Sequence, residues 1–138
     1  MLATIRTHYK LRKARHEIER EESALQKVLK DVTDAGKRRD LVGEYSHLYI
    51  EPAEEEYRAL LTTYWVTKAR DKFIPVPPFE PDSEYWEGAY HVNKSLLTDK
   101  GISLLRTAIR QETASTNETF FKWASIILGL LAVALQLR

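Results

Sequence analysis

The chain contains no cysteine, which excludes a disulfide framework, a thiolate nucleophile and any cysteine-ligated metal. Glycine and proline number only five each, too few for a collagen-like or low-complexity chain. Charge of one sign is also missing. Lys and Arg total 21 against 20 Asp and Glu, a formal net charge of +1, so the whole chain is neither a strongly basic nucleic-acid binder nor an acidic tail. No GxxxxGK[ST], GxGxxG or GxSxG occurs, and with them go a phosphate loop and a nucleophile elbow. His8, His16, His47 and His91 make no HxxxH or HExxH pair, so spacing reads no zinc set and each is expected to be an ordinary surface residue. Carboxylates are abundant, but nothing singles out a catalytic pair, and Glu54 to Glu56 read as a solvated helix start. The expectation is no enzyme, no cofactor and no metal site.

What is present is unevenly placed. The 138 residues are 43% hydrophobic and 30% charged, enough apolar content to exclude wholesale disorder. Residues 1–40 carry 11 Lys and Arg against 7 Asp and Glu, residues 41–119 carry 8 against 13, and residues 120–138 carry only Lys122 and Arg138. The mean hydropathy of −0.42 therefore averages a polar body with an apolar end. Residues 123–135, WASIILGLLAVAL, are 13 positions without a charge. From Phe120 to Leu137 the segment is 18 residues, or about 27 Å of helix at roughly 1.5 Å per residue. That is the short limit for a bilayer core of about 30 Å. Lys122 and Arg138 can snorkel at opposite ends, and Phe120, Phe121 and Trp123 suit an interfacial aromatic belt. The pattern predicts a transmembrane helix over 120–138, with the lipid bilayer as partner and a cytoplasmic body. A buried core helix is the alternative. The start MLATIRTHYKLRKARHE lacks the apolar stretch of a signal peptide. Ser125 and Gly129, four apart, form a small-xxx-small pair that would let two helices approach.

The N-terminal part reads as one long helix. Leu11, Ala14, Ile18, Glu21, Leu25, Val28, Val32 and Ala35 fall at a and d positions, a 4-3 repeat broken only by Glu21. Leu11, Ile18, Leu25, Val28 and Val32 are the candidate helix–helix contacts, either in a self-associating coiled coil or against the next helix. Gly36 reads as the C-terminus of that helix. A second helical stretch carries Leu41, Tyr45, Leu48 and Tyr49. Pro52 marks a restart, with Glu54 to Glu56 in the first turn, and Tyr57, Leu60, Leu61, Tyr64 and Trp65 continue an apolar face.

Four prolines among residues 75–81 cannot be helical and predict a semi-rigid spacer over 74–84, or a strap over the helical pair. A short aromatic segment, helix or hairpin, begins at Ser83. Thr98 then caps a further helix, which either runs into the apolar end or breaks at the polar TASTNET stretch, Thr113 to Thr119. The predicted fold is all-α. It has a long helical hairpin or coiled coil over 1–73, the proline-rich spacer, a short helical juxtamembrane region over 85–119, and the C-terminal transmembrane helix.

Leu96 to Arg106, LLTDKGISLLR, resembles the LTxxGxxxL that leads from the wing into the last helix of many bacterial winged-helix regulators. That resemblance implies a nucleic-acid-binding regulator. No helix-turn-helix precedes the string, however, and prolines stand where a recognition helix belongs. With its apolar end the chain is also similar to small bacterial single-span membrane proteins, which implies an inner-membrane address and no activity.

Arg6, Lys10, Arg12, Lys13 and Arg15 precede the first acidic residue, Glu17. Together they form a candidate patch for the phosphates of lipid headgroups or nucleic acid. The leading expectation is a membrane-anchored interaction or scaffold protein, a homo-oligomer or the binder of a protein partner. The alternatives are a membrane-perturbing effector of a bacterial toxin or phage-defence module, and a soluble nucleic-acid-binding regulator.

Overall fold

A computed structural model describes residues 2–80 and 82–136, and side-chain surroundings for residues 5–80 and 82–128. The first element, α1 (Leu2–Leu29), stops earlier than the heptad pattern predicts. Asp34 caps a new helix, α2 (Ala35–Tyr45), by accepting the Lys37 N–H at 2.8 Å. Gly36 therefore lies in the first turn of α2 rather than ending α1. Along α1, Leu11, Ala14, Ile18 and Glu21 are half-buried and Leu25 is buried. The next buried position is Leu29, not Val28, which is exposed. The seam thus drifts as a straight helix of 3.6 residues per turn does, and α1 lies along a helix of the same chain.

Glu21, the odd residue in the seam, has a purpose there. Tyr45 O–H donates to its Oε2 at 2.9 Å, and Arg20 donates to its Oε1 at 2.8 Å. The Arg20 bond first, and the Tyr45 bond second, hold the Glu21 carboxyl below its ordinary value of 4.5, against the opposing effect of burial. A depressed carboxyl contributes stability that is complete above about pH 4.5 and is lost as pH falls through the lower folded value. Thermal midpoints of the native chain should therefore drop more steeply below pH 4.5 than those of Glu21→Gln. At pH 7 the variant should melt a few degrees lower.

After α2 the helix does not break. A π-helical turn, Ser46–Ile50, leads into α3 (Glu51–Arg70). Pro52, in the first turn of α3, lacks an N–H and crowds the carbonyl four residues back, and the wider π turn accommodates both. Lys68 and Arg70 complement the far end of the helix dipole. Phe73 then takes a left-handed φ of 57°, and Ile74 N–H returns to Ala69 O at 2.9 Å, closing the helix end. The proline segment is extended but not detached. Ile74 and Val76 pack against the core, and the Trp86 indole N–H donates to Pro77 O at 3.0 Å.

The sequence predicts an all-α chain because four-residue strands leave no period to read, and the structure is not all-α. β1 (Trp86–Ala89) and β2 (Lys94–Leu97) form a two-stranded antiparallel sheet, with Trp86 opposite Leu97 and Ala89 opposite Lys94. Asn93 supplies the positive φ, 45°, that closes the turn. Such a hairpin is marginal alone. Here Leu97 N–H donates to the buried Thr62 hydroxyl of α3 at 2.9 Å, and Arg58 pairs with Glu87. Ala69, Leu97, Leu105 and Ile109 form the core where α3, the hairpin and the last helix meet, with Trp65, Val66, Trp86 and Ile102 around it.

That last helix, α4 (Asp99–Gln136), is 38 residues long. Gly101 N–H reaches the Thr98 hydroxyl at 3.2 Å, the expected cap. The TASTNET stretch stays helical, and its threonine hydroxyls turn back to the carbonyls one turn before: Thr113 to Ile109 O, Thr116 to Glu112 O and Thr119 to Ser115 O. The transmembrane expectation does not stand, since among the described residues no helix is long and apolar enough to cross a membrane. The apolar end belongs to α4 and follows the two polar turns of the TASTNET stretch. The inner-membrane address fails with it, as does the juxtamembrane role of 85–119. Nor is the part with described surroundings, Phe120 to Leu128, a core helix. Phe120, Phe121, Trp123, Ile126, Ile127 and Leu128 are each more than half exposed.

Candidate functional site

Two places in this fold concentrate chemistry, and the first is built on one face of a helix. His47, Glu51 and Glu55 follow one another at intervals of four across the junction of the π turn and α3, so their side chains stack along one side. Glu55 is the anchor. Its Oε1 accepts the Tyr90 N–H at 3.0 Å, and its Oε2 accepts those of His91 at 2.6 Å and Val92 at 3.1 Å. Burial pushes the Glu55 carboxyl up, but the three backbone donors outweigh it and the net displacement is downward. One carboxylate thereby fixes the turn of the hairpin to α3.

That clamp sets His91 over Glu51. His91 Nε2 lies 3.7 Å from Glu51 Oε2, and His47 Nδ1 lies 3.0 Å from the same oxygen. The two imidazole rings are 5.3 Å apart, centre to centre. One ligand atom from each of the three residues falls within 4.8 Å of the others. His47 and Glu51 are exposed and His91 is half-buried. The bond with His47 is the main reason the Glu51 carboxyl sits below its ordinary value, with burial opposing it. The constellation escapes a motif search because His91 stands 40 positions after Glu51 and only the hairpin brings it back. The legible signal was His47 and Glu51, a histidine and a carboxylate four apart on a helix.

The second place is the distal part of α4. Beyond Ile109, the last buried residue of the described α4, every residue from Arg110 to Leu128 is exposed apart from the half-buried Ala124. Ser125 is among them, its hydroxyl bonded to Phe121 O at 2.9 Å. Gly129 lies outside the residues with described surroundings.

The remaining sequence candidates are on α1. Arg6, Lys10, Arg12, Lys13 and Arg15 are all exposed. Arg15 pairs with Glu19 at 3.5 Å, and Lys10 and Lys13 border a groove that also holds Glu17 and Glu56. Carboxylates therefore interrupt the basic surface. Leu11 and Ile18 are half-buried in the α1 seam, Leu25 is buried, Val28 is exposed and Val32 lies half-buried beyond the helix end. No protein-family model, curated protein or solved structure matches the chain.

Proposed function

We propose that this protein is a helical interaction module that assembles with copies of itself through the distal part of α4. The observation carrying this reading is the exposure of Phe120, Phe121, Trp123, Ile126, Ile127 and Leu128 on a helix that has left its own core. These side chains lie on more than one face, and a helix apolar on several faces is normally surrounded by neighbours. A second copy is the best-fitting occupant. Lys122 is the one charged residue between Thr119 and Gln136, so little like-charge repulsion opposes packing of identical helices. Symmetric self-association is also the commonest way to cover such a surface. Full burial of each large apolar side chain contributes about 1.5–3 kcal/mol. Six per copy are enough to offset the entropy of association.

Sedimentation of the full chain tests this. A concentration-dependent oligomer is expected, with Phe121→Glu plus Ile127→Glu weakening it at least about 100-fold, or roughly 2.8 kcal/mol. Because these positions are exposed, the thermal midpoint of the body should not move. A monomer across the micromolar range, or an oligomer indifferent to the two glutamates, refutes the reading. The nucleic-acid alternative has less support. The hairpin does lead into α4 at LLTDKGISLLR, but the helix before it begins with Glu51, Glu54, Glu55 and Glu56, which phosphates repel.

A further inference from the structure

We propose that His47, Glu51 and His91 bind one divalent first-row transition-metal ion of the imidazole-preferring class, Zn2+, Co2+ or Ni2+. The donor set itself selects this class. Two neutral imidazoles and one carboxylate suit these ions, whereas Mg2+ and Ca2+ take oxygen cages. The spacing agrees. A tetrahedral ion with bonds of about 2.1 Å holds its donors about 3.4 Å apart. Glu51 Oε2 already lies 3.0 Å from His47 Nδ1 and 3.7 Å from His91 Nε2. All three donor atoms lie within 4.8 Å of one another, so the adjustment that an ion would ask for is about 1 Å, the scale of a side-chain torsion.

The site is also organised in advance. His47 and Glu51 sit one turn apart, where the π turn passes into α3. The third donor comes from a hairpin turn that Glu55 already holds by three N–H bonds. The ordering entropy of bringing distant chain segments together is thus met by folding, and little is left for the ion. Exposure of His47 and Glu51 gives the ion a path in. Three protein donors leave a coordination position open to water or to a donor from another molecule. An ion here would cross-link α3 to the hairpin, whose following residue, Thr98, caps α4. The same ion thereby braces the base of the projecting helix.

Calorimetric titration of the full chain with Zn2+, and visible spectroscopy with Co2+, test the proposal. One equivalent is expected to bind with a dissociation constant of about 1 μM, with the intense d–d bands of four- or five-coordinate Co2+. His47→Gln and His91→Gln should each weaken binding at least about 10-fold. Glu55→Gln should weaken it to a lesser extent through loss of positioning, and His8→Gln plus His16→Gln should leave it unchanged. His47 is exposed and its removal does not threaten the fold, so a loss seen there reports the ligand. Affinity no tighter than about 1 mM, or binding that survives His47→Gln, or binding lost with His8 and His16, overturns the assignment. Self-assembly is read by sedimentation and does not enter these measurements.

Discussion

Leu97→Ala is expected to lower the free energy of unfolding by about 3–4 kcal/mol, read from urea denaturation followed by tryptophan fluorescence. Leu97 is fully buried and belongs to the cluster with Ala69, Leu105 and Ile109. Truncating a buried leucine removes the transfer free energy of its methyl groups and leaves a cavity, about 2–5 kcal/mol together. The upper half of that range applies because the site cannot collapse. Its backbone is pinned on both sides, by Leu97 N–H to the Thr62 hydroxyl at 2.9 Å and by Arg58 to Leu97 O at 3.4 Å. Large buried apolar side chains are few among the described residues, with Leu96, Leu97 and Leu105 the largest of these that are fully enclosed. A domain stable by about 5–15 kcal/mol loses a large share of that with one of them. Trp65 and Trp86 border the same cluster, so the fluorescence probe and the perturbation coincide. Leu97→Met, which keeps the volume, should lose less than about 1.5 kcal/mol. A loss below about 1 kcal/mol for Leu97→Ala would place the principal core elsewhere.

The same residue shows why the sequence yields the helices more readily than the hairpin. Helical faces repeat over many turns. Leu11 to Leu25, and Tyr57 to Trp65, therefore announce themselves by period alone. Each strand has four residues, too few to establish a period of two. Leu96 and Leu97 are both buried although adjacent, because one side of the strand meets the core and the end of the strand turns into α4. The membrane expectation fails for a related reason. It weighs composition over a window, while among the described residues no helix is long and apolar enough to cross a membrane. The cluster of His47, Glu51 and His91 is only half legible, because His47 and Glu51 share a helical spacing while His91 stands 40 positions after Glu51. Its geometry depends on Glu55, which read as part of a solvated acidic turn and is in fact the acceptor for three backbone N–H groups.

Gly101→Ala should also destabilise strongly, and it runs against helix propensity. Gly101 lies in the first turns of α4, where alanine is ordinarily favoured over glycine by about 1 kcal/mol. A Cβ at this position, however, would stand 2.5 Å from Tyr85 O and 2.8 Å from Leu97 Cδ2. Neither neighbour is free to retreat. Tyr85 O accepts the Thr98 N–H at 3.0 Å, and the Thr98 hydroxyl donates to Glu84 O at 2.7 Å. The chain before the hairpin is therefore tied to the cap of α4, and Leu97 is packed in the core. Admitting one methyl group requires α4 to slide off the hairpin. Because both neighbours are held, the overpacking takes the upper part of its usual range, about 2–3 kcal/mol, which cancels the propensity gain and leaves a net loss of about 1–2 kcal/mol for alanine, with valine at the same position worse again. Gly43→Ala provides the opposite sign. Gly43 lies in α2, and nothing stands within 4 Å of where its Cβ would be, so that variant should gain about 0.5–1 kcal/mol. Urea midpoints of the two alanine variants should therefore move in opposite directions from the native chain. If both rise, the helix start is not seated against Tyr85, and the clamp that joins hairpin, cap and core has another basis.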